Sequence, residues 1–399
     1  MAETSAQSAL ARQNYSVRVG LLYAGMFAVF GLAMPYYSPW LASRGLSVGE
    51  IAIIATLPQL LRPFTAPALA FIADRQQNHR VMLAVLAVIA LGGWSGLQSS
   101  SSFWPIFVFQ LIVGSTAAMM PLAETVALAG VKRYGADYAR MRLWGSVTFI
   151  IATLCGGWSI ARFGIDTVMW LIIGCSVLTV AAALRVPSLS DDGAKRAPIS
   201  LKAAAALMAD PTLMLVFAAA AAVQASHVML YTYGTMHWQA LGYSANMIGG
   251  FWAVSVGVEI AIFWFAGAQL RRLGAANVLA LGAAVAAVRW TAMVFDPSLP
   301  LLLLLQVSHA VSFGVAHLGA MFALEKYVPE GKGGTAQALL SVVTALTFAA
   351  ATPFAARAFA SGGALGYAPM AVLSVLGLLA ALALRQRLRR LPTTSVHPD

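Results

Sequence analysis

The chain has 399 residues, of which 60% are hydrophobic and only 10% charged, where an ordinary soluble domain carries about 25% charged residues. That composition excludes a soluble globular protein, and long apolar runs in place of short alternating segments exclude a β-barrel. The formal net charge of +11 would suit nucleic acid or an anionic surface, but its placement along the chain gives it another meaning.

The opening stretch MAETSAQSALARQNYSVR is polar and runs directly into a full-length apolar segment, so it reads as an ordinary leader and not a cleaved signal peptide. Apolar runs of the roughly 20 residues a helix needs to cross a bilayer follow at 18–42, 49–73, 80–97, 103–130, 140–164 and 166–186. Six more lie at 212–238, 246–270, 275–294, 298–327, 334–360 and 365–385. They predict an all-α membrane protein with twelve transmembrane helices. Basic residues gather in alternate connections, at Arg75 and Arg80, at Lys132, Arg133 and Arg140, at Arg271 and Arg272, and in the tail RQRLRR. This positive-inside pattern puts both termini in the cytoplasm. The charge is topology, and nucleic acid is not an expected partner.

The one long polar connection, SLSDDGAKRAPISLK at 188–202, divides the chain. It predicts an N-terminal six-helix bundle over 1–187, a cytoplasmic linker over 188–210, and a C-terminal six-helix bundle with a basic tail over 211–399. A weak repeat supports the division. PWLASRGLSVGEIAI at 39–53 is echoed by HWQALGYSANMIGGF at 237–251, each with a Trp closing one helix and a Gly-x-Ser turn opening the next. FIADRQQNHR at 71–80 has a degraded counterpart in GAQLRRLGA at 267–275. Two parallel repeats with substrate near the midplane are the build of many secondary transporters. No phosphate-cradling loop suggests a nucleotide-driven pump. Cys155 and Cys175 lie inside apolar runs and suggest neither disulfide nor metal.

Ionisable groups within spans cost roughly 2.5–3.5 kcal/mol each on insertion scales, so each calls for an explanation: a packing salt bridge or a site. They are Arg62, Glu124, Arg142, Glu259 and Arg289, with His227, His309 and His317. Glu259, in FWAVSVGVEIAIFWFAG at 251–267, shares a helical face with Trp252, Ser255 and Phe263. Burial disfavours the charged form of a carboxylate, which makes Glu259 a candidate proton carrier. Arg142, in YARMRLWGSVTF at 138–149, could equally snorkel from a helix end. His309 and His317, in SHAVSFGVAH at 308–317, stand eight residues apart, about 80° around a helix, and so could face one cavity. No carboxylate or Cys sits at metal-ligand spacing from them. Pro35, Pro39, Pro58, Pro63, Pro67, Pro121 and Pro353 interrupt helices, which is tolerated where protein or cavity water satisfies the backbone.

These residues carry a family likeness. The chain resembles the major facilitator superfamily over nearly its whole length, and within it the branch of lactose permease and the 3-phenylpropionate permeases. FIADRQQNHR is a degenerate form of that family's loop between helices two and three, keeping Asp74 and Arg75, for which the resemblance implies a gating role. Glu124 followed by Arg142 in RMRLWG is similar to the permease's sugar-engaging acid–arginine pair. Glu259 in GVEIAIF, Arg289 in AAVRWTA and His309 in QVSHAV match its C-terminal acid, arginine and histidine in order and spacing.

The departures are Ser312 in place of the main proton-releasing acid, Gln306 in place of a lysine, and Phe149 at the aromatic platform for sugar. Helix seven offers His227, Tyr231 and Tyr233 where the permease has acids. YARMRLWGSVTFI, HWQALGYSANMIGGFWAVSVGVEIAIF and SHAVSFGVAHLGAMFA look closer to the phenylpropionate group.

The resemblance implies a proton-coupled symporter working by alternating access, powered by the proton gradient with no cofactor. The chain would be monomeric and would sit in a bacterial inner membrane. It would take up a small organic acid such as 3-phenylpropionate. Substrate binding would fall to Arg142, Glu124, Arg289, Trp144, Phe149, His227 and Trp252, and proton coupling to Glu259, His309 and His317. Alternatives are a sugar or nucleoside symporter, a drug exporter, or a non-transporting membrane sensor.

Overall fold

A computed structural model describes residues 2–76, 78–187 and 201–390. All regular structure among them is helical. In chain order the helices are α1 (Ala2–Ser43), α2 (Val48–Gln76), α3 (His79–Gln98), α4 (Phe103–Ser115), α5 (Met119–Tyr134), α6 (Tyr138–Phe163) and α7 (Thr167–Arg185). There follow α8 (Leu201–Ala209), α9 (Pro211–Ala225), α10 (Thr235–Ala240), α11 (Ala245–Phe265), α12 (Gly267–Leu273) and α13 (Ala275–Met293). The last are α14 (Leu299–Val307), α15 (Ala316–Tyr327), α16 (Gly333–Gly362) and α17 (Ala368–Arg390). Of the predicted linker, residues 188–200 lie outside the described residues, and its end forms α8.

Ten helical stretches are long and apolar enough to cross a membrane, the last of them, Gly333–Arg390, comprising both α16 and α17. Several helix ends are chemically marked. Ser47 and Glu50 form a capping box at α2, with Ser47 N–H donating to Glu50 Oε2 at 2.8 Å and Glu50 N–H to Ser47 Oγ at 3.3 Å. Asp210 caps α9 by accepting from the backbone of Thr212 and Leu213, with Pro211 at the first helical position. Gly135 ends α5 in the left-handed conformation, φ +60°.

Four expected single spans are interrupted: the run 246–270 breaks at Ala266, between α11 and α12, and three others contain irregular turns. The run 103–130 breaks at a 3₁₀ turn, Thr116–Ala118, where Ser115 and Thr116 hydroxyls donate to the carbonyls of Ile112 and Val113 and compete with the helical ladder. The runs 212–238 and 298–327 each contain a π-helical turn, Leu230–Gly234 and Ala310–Val315. The prolines of α1, α2 and α16 are carried inside continuous helices.

The chain forms two compact units, Met1–Ala197 with Tyr231–Ala253, and Pro198–Leu230 with Val254–Asp399. In the first, α1 packs against α6 and α7, α3 against α7 and α4, and α2 against α4. Polar ties lock α1 to its neighbours: Tyr15 Oη donates to Val126 O at 2.7 Å, Tyr36 Oη to Thr153 O at 2.7 Å, and Thr153 Oγ1 to Gly31 O at 2.7 Å. Segment 231–253 joins this unit, with Tyr233 Oη donating to Val48 O at 2.9 Å.

In the second unit α9 packs against α16 and α17, and α13 against α17 and α15. The α13–α15 crossing is held by small residues. A Cβ at Gly282 would stand 2.6 Å from Ala316 Cβ, and one at Gly319 would stand 2.6 Å from the backbone nitrogen of Leu279. Such close approach is how apolar helices gain packing energy where lipid offers no hydrophobic drive.

Gly319→Val should therefore push α15 off α13 and destabilise the protein by about 1–3 kcal/mol, the usual cost of overpacking. A lowered midpoint of thermal unfolding in detergent checks this, with Gly250→Val as control, since a Cβ at Gly250 meets nothing within 4 Å.

Candidate functional site

The second unit buries a polar cluster in an otherwise apolar interior. The side chain at its centre is Arg289 of α13, with no exposed surface. Its Nη1 donates to His309 Nδ1 at 3.0 Å and to Ser312 Oγ at 3.4 Å, and its Nη2 donates to Gln306 Oε1 at 3.2 Å. Its Cζ lies 4.3 Å from the centroid of the Trp290 ring. From α11, Ser255 Oγ donates to the same Gln306 Oε1 at 3.1 Å.

The donor rule fixes the protons. A guanidinium can only donate, so His309 Nδ1 accepts and the neutral ring carries its proton on Nε2. That Nε2 lies 3.9 Å from Glu259 Oε2, beyond hydrogen-bond length but within ion-pair reach. The Glu259 side chain is 19% exposed and that of His309 6%. By the same rule Gln306 must turn its oxygen to Arg289, and its Nε2 then meets no acceptor among the described residues.

His227 completes the cluster. Its Nδ1 donates to the Val223 carbonyl at 3.0 Å, leaving Nε2 as an acceptor 3.4 Å from Ser312 Oγ. Its ring meets Trp290, His309 and Phe313 edge-on, with centroids 5.0, 5.2 and 5.4 Å away. Phe313 stacks on His309 at 5.3 Å.

The two buried histidines occupy equivalent places in broken helices. Each follows a serine, Ser226–His227 and Ser308–His309, at the point where α9 or α14 ends and just ahead of a π-helical turn. Each serine donates back into its own helix, Ser226 Oγ to Val223 O at 2.6 Å and Ser308 Oγ to Leu305 O at 2.8 Å. Back-bonding serines bend helices, and π turns are frequent at functional sites because they re-aim side chains.

The first unit holds a second, wetter pair. Arg142 Nε stands 3.9 Å from Glu124 Oε1, with the two side chains 31% and 27% exposed. The other carboxylate oxygen accepts from Tyr138 Oη at 2.6 Å. The guanidinium lies over aromatic rings of α1, 4.0 Å from Phe27 and 5.6 Å from Tyr23.

The other expected site residues are placed as follows. Trp144 is 55% exposed and lies beside Gly20, while Phe149 is buried with its backbone pressed on Gly31. Trp252 is buried in the first unit, stacked on Tyr231 at 6.0 Å with Nε1 donating to Thr235 Oγ1 at 3.3 Å. The structure divides the expected histidine pair: His309 is buried and His317 exposed. A π-helical turn, Ala310–Val315, lies between them. Arg62 and Arg75 are exposed on α2, and the side chain of Asp74 lies outside the described residues. Among the described residues no group of three or more His, Cys, Asp or Glu could hold a metal ion.

Sequence reasoning missed Tyr138, Tyr23 and Phe27, which surround the Glu124–Arg142 pair, and Trp290, which flanks Arg289. The repeated Ser-His dipeptide was the signal available for the helix breaks.

A model of the MFS_1 like family matches residues 17–373. A protein of Escherichia coli (strain K12), described as "Probable 3-phenylpropionic acid transporter", is 28% identical over 336 residues, covering 82% of this chain and 86% of that protein. The maltose permease of Geobacillus stearothermophilus is 28% identical over 326 residues, 81% of this chain and 82% of the permease. Among solved structures, a mutant form of the nucleoside transporter NupG superposes with a TM-score of 0.80 at 16% identity, covering 93% of this chain and 99% of NupG.

The two arginines should differ in structural weight. Arg289→Ala strands several buried polar partners and should cost about 3 kcal/mol or more, whereas Arg142→Ala removes a part-exposed, 3.9 Å pair and should cost no more than about 1 kcal/mol. Unfolding midpoints of both variants without substrate check the order.

Proposed function

The chain belongs to the MFS_1 like family, and on that footing we propose that it is a proton-coupled symporter importing a small organic acid, an aromatic monocarboxylate of the 3-phenylpropionate type. Its relatives and structural neighbours are transporters, and it is a multi-pass membrane protein and not an enzyme. In this reading it has twelve spans. To the ten stretches that qualify by length and hydropathy are added α2 and the division of Gly333–Arg390 into α16 and α17. Residues 1–187 and 211–399 form the two repeats, and both termini are cytoplasmic in a bacterial inner membrane. The chain acts as a monomer, with the proton gradient as its only energy source.

The observation that carries the substrate class is an arginine flanked by aromatic faces. Arg142 lies over Phe27 and near Tyr23, and its ion pair with Glu124 is long. A substrate carboxylate can take the guanidinium bidentately while the substrate's ring lies on the aromatic side chains. Arg289 is the poorer anchor, because its terminal nitrogens are already spent on His309, Ser312 and Gln306. Glu124 holds Arg142 in the empty site, with Tyr138 orienting it.

The coupled proton is assigned to Glu259. His309 has Nδ1 taken by Arg289 and already carries its proton on Nε2, so it serves as a donor toward the Glu259 carboxylate and not as the carrier. The energetics favour one proton per anion. Moving an anion into a negative interior is opposed by about 2.3 kcal/mol per 100 mV, and a co-transported proton cancels the charge.

A second reading, a sugar or nucleoside symporter, is favoured by the likeness to the maltose permease and NupG. Uptake of a neutral solute with a proton is electrogenic, and one-for-one uptake of an acid with a proton is not. In proteoliposomes with an imposed pH gradient, 3-phenylpropionate should compete best in a panel of aromatic acids, sugars and nucleosides, without generating current. A sugar or nucleoside that alone competes, with current, would establish the second reading. Glu259→Gln should abolish uphill accumulation but keep substrate exchange. Full proton-driven accumulation by that variant would remove Glu259 from the coupling role.

A further inference from the structure

A cavity of about 640 Å³ opens in the second unit among the ends of α12, α15 and α17 and the start of α13, away from the buried cluster. Its volume falls within the roughly 300–1,000 Å³ typical of small-molecule sites. Four cations line it, Arg271, Lys326, Arg385 and Arg389, against the single carboxylate of Glu325.

Glu325 is consumed locally. Its Oε2 takes Arg271 Nη1 at 2.6 Å, and the Arg271 guanidinium also lies 4.4 Å from the Phe322 ring centroid. Lys326, Arg385 and Arg389 enter no ion pair among the described residues. The uncapped first turn of α13, preceded by Gly274, adds positive partial charge to the same wall. The site is therefore cationic well beyond what one carboxylate offsets, and it calls for an anion.

The walls say which kind. Phe322, Tyr327 and Leu388 give the cavity apolar sides. On α17, Val375 and Leu382 are exposed and stand fourteen and seven residues before Arg389. That spacing keeps all three on one face of a helix. An apolar track thus runs along α17 and ends in the cations. Trp264, exposed at the end of α11, is of a residue type that marks a membrane–water interface. A free anion has no use for the track, and a lipid has.

We propose that this cavity binds the phosphate diester headgroup of an anionic phospholipid, with an acyl chain lying along Val375 and Leu382. Basic pockets between helices at the cytoplasmic border are suited to such headgroups. The site is separate from the transport residues, and its occupancy ties the C-terminal end of α17 to α13 and α15.

Native mass spectrometry of the purified full-length chain, titrated with phosphatidylglycerol, tests this. The wild type should bind phosphatidylglycerol in preference to phosphatidylcholine. Each cation near the surface contributes about 1 kcal/mol, roughly fivefold, toward an anionic lipid. The double variant Arg385→Gln/Arg389→Gln should therefore bind about 25-fold more weakly, and Arg385→Lys/Arg389→Lys, which keeps the charges and guards against misfolding, should bind nearly as the wild type. Unchanged binding by the glutamine variant, or equal binding of phosphatidylcholine, would overturn the proposal. So would equally strong competition from glycerophosphoglycerol or inorganic phosphate, which would make the cavity a free-anion site.

Discussion

A fully buried guanidinium is the constraint around which the second unit is organised. Arg289 brings a permanent charge to a place with no exposed surface, and an uncompensated charge there would cost several kcal/mol. The neighbouring elements answer it with acceptors: a ring nitrogen from the interrupted α14–α15 span, a hydroxyl from the same π turn, an amide oxygen from α14. Those acceptors are delivered by departures from regular helix. His309 and Ser312 flank or occupy the π turn, and the same irregularity lets Ser312 lie between Arg289 and His227. The imidazole tautomer, the orientation of Gln306 and the approach of His309 to Glu259 all follow from the fact that arginine can only donate.

The first unit solves its charge problem differently. Glu124 and Arg142 stay part-exposed, with Tyr138 and the α1 aromatics taking the place of a dense acceptor shell. A part-exposed charge keeps much of its hydration and leaves an arginine able to exchange partners. The contrast between a guanidinium held by three buried acceptors and an exchangeable one underlies the separate roles assigned to them.

Much of the architecture was legible in the sequence because lipid leaves few choices. Runs such as 140–164 and 275–294 could only be spanning helices, and α6 and α13 lie there. The polar inventory was legible too, since a charge within such a run is conspicuous. Partnership was legible only through resemblance, for Glu259 and His309 lie fifty residues apart and nothing local links them. The helix breaks were not read. A π turn takes one residue more per turn, and although each of the two contains a glycine, Gly234 and Gly314, glycine is frequent in membrane helices and does not announce one. Tyr23 and Phe27 escaped for another reason: an aromatic in an apolar helix looks the same whether it faces lipid or a guanidinium.

The close crossing of α13 and α15 at Gly282, Ala316 and Gly319 has a consequence for how this site can change. Backbone resting on backbone leaves no compressible side chain between the two helices, so the spacing of α15 from α13 is set as rigidly as in a splinted joint. The opposite wall, α11, has only 28% of its most apolar stretch buried, against 61% for α13, and Glu259 rests there against the open face left by Gly314. Adaptation to a bulkier cargo, within a working cycle or across generations of descendants, must then fall on α11, with the arginine post left standing.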